Sequence, residues 1–163
     1  MDIAKRLGIE QSHLGERIAE LKKTSQISQK QLAERSGLSV RLIRRIEKGE
    51  ANPEFKTILR LAVGLKVAVV GLFDYRGQFK RTATISHRGL EKQLATEREK
   101  LGIRILELCK HRKINQEELG VLSKIASSDI SLYINGEENL VFLTLLKIAI
   151  GLEVEIIDLF NYD

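Results

Sequence analysis

The chain has 163 residues, with 27 Lys and Arg against 22 Asp and Glu and a net charge of +5. That length allows one domain or two small ones; no apolar run is long enough to span a membrane, and the opening "MDIAKRLGIEQ" lacks the apolar core of a signal peptide. One cysteine, Cys109, excludes an internal disulfide framework and fits a reducing, cytoplasmic setting, and His13, His87 and His111 show no metal-ligand spacing with it or each other.

Frequent Leu, Ile, Lys, Glu and Arg, with a single proline, point to an all-α chain. Apolar residues step at three and four through Leu14, Ile18 and Leu21, then Leu32, then Ile43 and Ile46, then Ile58, Leu61 and Leu65. Helix one is predicted over Ile9–Lys23, with a start nearer Ile3 also consistent. Ser28 precedes "QKQLAERS" as an N-cap, with Gln31 at the capping-box position. Gly37 ends helix two as a left-handed residue. Ser39 caps helix three, which stops at Gly49. Pro53 is placed at the start of helix four, where its missing N–H costs little, and that helix reaches about Gly64. A short helix over Ala68–Phe73 closes the set, although "VAVV" (Val67–Val70) fits a strand as well.

The pattern then begins again. Leu14–Tyr75 set on Leu101–Tyr162 keeps an offset of 87 without gaps, and 25 of the 62 pairs are identical. Among them are Leu32/Leu119, Ile43/Ile130, Gly49/Gly136, Phe55/Phe142 and Gly64/Gly151. A tandem duplication is the simplest source, and two copies are too few for a solenoid, so each should own a core. Domains are expected at residues 1–76 and 89–163, joined by a basic linker at 77–88, "GQFKRTATISHR". Its Lys80, Arg81 and Arg88 suit either a soluble connector or an arm that follows phosphate. In the second copy Asn115 caps helix two, and helix three covers about Ser127–Asn135. "LEKQLATEREKLGIRILELCKHRK" holds one breaker, Gly102, so helix one there is expected as a single long rod starting in the linker.

Charge is divided unevenly between the copies. Residues 1–76 hold 15 Lys and Arg against 9 Asp and Glu; residues 89–163 hold 9 against 13. A basic front half suits a polyanionic partner. Helix two, a tight turn and helix three form a helix-turn-helix. Ala33 is small where helix three must cross, Gly37 permits the turn's positive φ, and Ile43 fills the angle between the helices. The second copy has Gly120, Lys124 and Ile130 there.

On these residues the chain resembles a known family. "LAERSGLSVRLIRRIEKGEANPEFKTILRLAVGL" is similar to the phage-repressor, Xre/Cro family of helix-turn-helix domains. Gln29, Leu32–Ala33, Ser36–Ser39, Ile43, Ile46–Glu47, Gly49, Pro53, Leu59 and Leu61–Ala62 carry the likeness. It covers Leu14–Tyr75 closely and Leu101–Tyr162 more loosely. It implies two tandem five-helix lambda-repressor-like domains, the second degenerate, and a third helix that lies in the major groove of double-stranded DNA. By position, the base-reading surface falls on Ser39, Val40, Arg41, Arg44 and Arg45. Arg41 is placed for a bidentate contact to guanine, and Arg44 or Arg45 for phosphate instead. Ser28, Gln29, Lys48 and Asn52 are implied phosphate contacts. Glu47 is expected to pair locally or hold the following loop.

The second copy has Ala126, Ser127, Ser128, Ser131 and Leu132 at the reading positions, without a cation, and so lacks the dominant affinity term. Its helix four, "LVFLTLLKIAI", is apolar nearly all round. With Leu132, Tyr133 and Ile134 it reads as a dimerisation or packing surface, or as a fuller core. The expectation is a sequence-specific regulator, a repressor acting as a homodimer through its first helix-turn-helix. An antitoxin-like protein-interaction module is the alternative. No Gly-rich phosphate loop, nucleophile elbow or paired-cysteine zinc signature occurs, so no enzyme, metal or cofactor is expected.

Overall fold

The computed structural model describes residues 2–78 and 89–162, so Lys80, Arg81 and Arg88 of the linker lie outside the described residues. Every regular element among them is helical. The chain divides into two compact units, Met1–Leu90 and Glu91–Asp163.

The first unit contains α1 (Ile3–Thr24), α2 (Gln29–Ser36), α3 (Val40–Glu47), α4 (Phe55–Leu65) and α5 (Val69–Leu72). Helix α1 begins at the earlier of its two expected starts. Gly8 lies in its interior, facing open space. A glycine there costs about 1 kcal/mol, which the helix tolerates because Leu14 and Ile18 anchor it further on. Ser28 and Gln31 form a reciprocal capping box: Gln31 N–H donates to Ser28 Oγ at 3.1 Å, and Ser28 N–H donates to Gln31 Oε1 at 2.8 Å. Gly37 takes the left-handed conformation, φ 68°, and closes α2. Ser39 Oγ then accepts from Leu42 N–H at 3.1 Å and starts α3. Val69 and Val70 join a helical turn rather than a strand.

Pro53 does not open helix four. It is buried, Glu54 stays extended (φ −70°, ψ 155°) as the N-cap, and the fully buried Phe55 is the first helical residue. The chain seats both side chains in the core before it turns, which delays the helix by two positions.

Leu32, Ile43, Ile46, Phe55, Ile58, Leu59 and Phe73 make the centre of this unit. Helix α2 packs on α4, and α1 on α3. The α1–α3 crossing is backbone to backbone at Gly15: a Cβ there would press on the Glu47 carbonyl and stand 2.7 Å from the Ile46 carbonyl oxygen. Arg17 fastens α1 to α5, its Nε donating to the Gly71 carbonyl at 2.9 Å while Nη1 meets Glu20 at 2.8 Å.

The second unit contains α6 (Leu90–Arg112), α7 (Gln116–Ser123), α8 (Ser127–Ile134), α9 (Phe142–Leu152) and a closing 3-10 turn, Ile156–Leu159. Helix α6 is one long rod; it starts at Leu90, just after a left-handed Gly89 (φ 88°). The last four elements fall 87 residues after α2–α5 at both ends. Asn115 and Glu118 form the capping box of α7. Lys124 replaces Gly37 and takes the same left-handed turn, φ 54°. Gly102 repeats the close crossing, since a Cβ there would stand 2.7 Å from the Ile134 carbonyl carbon. Arg104 repeats the fastener, its Nε donating to the Asp158 carbonyl at 2.9 Å.

Candidate nucleic-acid interface

Helix α3 is held from two sides, and that fixes which face it shows. Ile43 and Ile46 are buried. With about 100° between successive residues, Arg44, Arg45 and Lys48 fall within about 60° of Arg41, and the two isoleucines fall on the opposite side. Arg41, Arg44, Arg45 and Lys48 are all exposed. Arg44, Arg45 and Lys48 also lie at the helix C-terminus, where the macrodipole favours cations. Ser39 is exposed at the N-cap and Val40 is half-buried beside it.

The expected site residues do not all stand alike. Arg45 Nη2 donates to the Glu50 carbonyl at 3.0 Å, so this side chain folds onto the loop after α3. Arg44 Nε donates to Gln29 Oε1 at 3.1 Å. Gln29 Nε2 in turn donates to Glu47 Oε2, and Glu47 Oε1 lies 2.6 Å from Lys22 Nζ. Gln29 thus spends its side chain within the protein. What it keeps for an anion is its position in the first turn of α2, where backbone N–H groups lie outside the helical ladder. Ser28 Oγ and Ser39 Oγ serve as caps and retain a hydroxyl proton each. Lys48 and Asn52 are exposed just beyond α3. Gln11 supports that loop, its Nε2 donating to the Ala51 carbonyl at 2.6 Å.

The linked set Lys22–Glu47–Gln29–Arg44 is not legible as a set in the sequence, which offers only the expectation that Glu47 pairs locally. A signal was present. The positions of Lys22 and Glu47 are occupied in the second unit by Cys109 and Ile134. Where the first unit has an ion pair the second has two uncharged residues, and both are buried.

A family model described as helix-turn-helix matches residues 18–72, from within α1 to the end of α5. The first unit is a helix-turn-helix domain of the Xre/lambda-repressor-like kind. Neither the curated proteins nor the solved structures gave a match to the chain. The helix-turn-helix domain supports a DNA-binding regulator of the Xre type, and its α3 carries the cationic face described above. No helix among the described residues is long and apolar enough to cross a membrane.

In the second unit the corresponding face of α8 carries Ser128, Ser131, Leu132 and Asn135. The apolar run expected as surface on its helix four is divided, with Ile150 exposed at 38%. Ile134 and Leu140 are buried, and Leu132, Tyr133, Val141 and Leu143 are half-buried. The most exposed large apolar side chains are instead Val121 on α7, at 79%, and Ile103 on α6, at 58%. The run of apolar residues along helix four cannot foresee this, because burial takes Leu140 fully and Val141 and Leu143 in part, while single positions on other helices turn further outward. Burial also pushes the Cys109 thiol above its ordinary range, as suits a packed side chain rather than a nucleophile.

Proposed function

We propose that this chain is a transcriptional repressor that acts as a homodimer, with one helix-turn-helix per chain set into the major groove. The observation that carries the reading is the single cationic face of Arg41, Arg44, Arg45 and Lys48 on α3, lying opposite the residues that bury the helix. A polyanion rewards each phosphate neutralised by releasing counterions, and guanidinium groups add bidentate recognition of guanine. Arg41 is the reader free of side-chain hydrogen bonds within the described residues. Lys48, Asn52 and the first turn of α2 supply phosphate contacts on either side of it.

The constant offset of 87 between the two units supports descent from one duplicated domain. On that reading the second unit gave up DNA contact when its third helix lost its cations. It holds two chains together through apolar positions such as Val121, Leu122 and Ile103, which the first unit fills with Glu34, Arg35 and Glu16. Two reading helices then meet half-sites about one helical turn, ~34 Å, apart or a multiple of it. Repression follows from occupancy of the operator.

Random-site selection and gel shift on the full chain test this. A palindromic site is the expected result, with Arg41→Ala losing preference at one base per half-site. Light scattering should give the mass of two chains at micromolar concentration. Failure to bind any duplex at low ionic strength ends the DNA-reading assignment, and a strict monomer ends the homodimer.

A further inference from the structure

Resting on the DNA-reading assignment, we infer that Glu47 is a positioning residue for base recognition: through Gln29 it presets the guanidinium of Arg44 as an oriented reader.

The chemistry of the chain of contacts leaves one arrangement. Lys22 and Glu47 form a nearly enclosed pair, with 13% and 12% of their side chains exposed and 2.6 Å between Nζ and Oε1. The second carboxylate oxygen, Oε2, faces Gln29. An ionised carboxylate only accepts hydrogen bonds, so the Gln29 amide must turn its NH2 group inward. That places its carbonyl oxygen outward, and this end in turn only accepts. Arg44 Nε fills it at 3.1 Å. With Nε committed, the remaining edge of the planar guanidinium, its two terminal nitrogens, is the edge left for a ligand, in the fork geometry that meets guanine or a phosphate two-handed. Arg45, by contrast, has a terminal nitrogen tied to the Glu50 carbonyl, which folds its guanidinium onto the loop after α3 rather than holding it through Nε as in Arg44. Between the two neighbouring arginines the structure therefore assigns reading to Arg44 and loop closure to Arg45.

The second unit shows what happens when the reader goes. Arg44 is replaced by Ser131, Glu47 by Ile134 and Lys22 by Cys109, while Gln116 remains at the place of Gln29. The two enclosed charges have no counterpart there, although α8 occupies the same register as α3. A pair needed only to hold the third helix would be wanted in both units. One needed to aim a guanidinium is wanted in the first alone.

The test is random-site selection with the full chain, comparing wild type, Arg44→Ala, Glu47→Gln and the double variant. A glutamine at 47 can donate or accept, so it no longer dictates the Gln29 amide. Glu47→Gln should relax preference at the same base position as Arg44→Ala and weaken binding to the selected site by roughly tenfold, within the range of one bidentate contact. The double variant should bind no worse than Arg44→Ala alone. If Glu47→Gln unfolds the domain, Lys22→Cys with Glu47→Ile, the pair that the second unit buries, replaces it, with circular dichroism to confirm folding. A folded variant that keeps wild-type preference at the Arg44 position, or whose loss adds fully to that of Arg44→Ala, overturns the inference while leaving DNA reading intact. A wild-type chain that binds no duplex overturns both.

Discussion

Helices α3 and α8 have the same length, the same register and the same close crossing over a glycine of their first helix, yet only one of them carries a cationic face. The comparison separates what the fold requires from what one surface requires. Gly15 and Gly102, Arg17 and Arg104, and Ser36 and Ser123 recur because backbone geometry needs them: each crossing admits no Cβ, each arginine satisfies a carbonyl of the last turn, and each serine donates back to its own helix at 2.6 Å. Arg41, Arg44, Arg45 and Lys48 do not recur. Neither does the enclosed pair beneath them, Lys22 and Glu47. Surface and support differ between the units as one set, which supports the proposal that the pair serves the surface.

Transferring the α8 face onto α3 should break the asymmetry most severely. Arg41→Ser, Arg44→Ser, Arg45→Leu and Lys48→Asn together are expected to weaken duplex binding on the order of a thousandfold near 0.1 M salt, and to flatten the dependence of log K on log salt by about three to four units. Titration of a labelled operator across salt concentrations measures both. Next in size is the helix crossing. Gly15→Ala puts a methyl group against the Glu47 carbonyl, and should cost about 3 kcal/mol, read by urea unfolding. Gly102→Ala should cost at least as much, since its approach is closer. Arg17→Met and Arg104→Met each remove a charged donor from a backbone carbonyl and should each cost about 2 kcal/mol. A marked inequality between those two would show that the units rely on the fastener differently. The smallest effect concerns the turn. Lys124→Gly relieves a left-handed side chain and should stabilise the second unit by about 1 kcal/mol, whereas Gly37→Lys should destabilise the first by a similar amount.

Much of this is legible in the chain. Ser28, Gln31, Gly37 and Ser39 mark the ends of α2 and α3 through local chemistry, since caps and left-handed turns depend on a few neighbouring atoms. The cationic stripe follows from helical spacing alone. What stays hidden depends on distant partners. The start of α4 escapes a local reading because Pro53 is buried, a tertiary fact that overrides its preference for the first helical position. Arg45 groups with Arg41 because both face the same way along the helix, and nothing nearby announces that the Glu50 carbonyl will capture it. The bond from Gln29 to Glu47 joins residues 18 positions apart, beyond any periodicity. The exposed valine and leucine of α7 hide inside a short helix of ordinary average character.

The bare face of α8 bears on how occupancy would respond to dose. A polypeptide with two armed heads could grip both halves of a site by itself, the second contact being helped by tethering. With one armed head, the proposed homodimer borrows the other hand from a separate molecule, and in the dilute limit its occupancy climbs with the square of the amount present. On the proposed reading, a second unit without cations turns a chelating grip into a threshold.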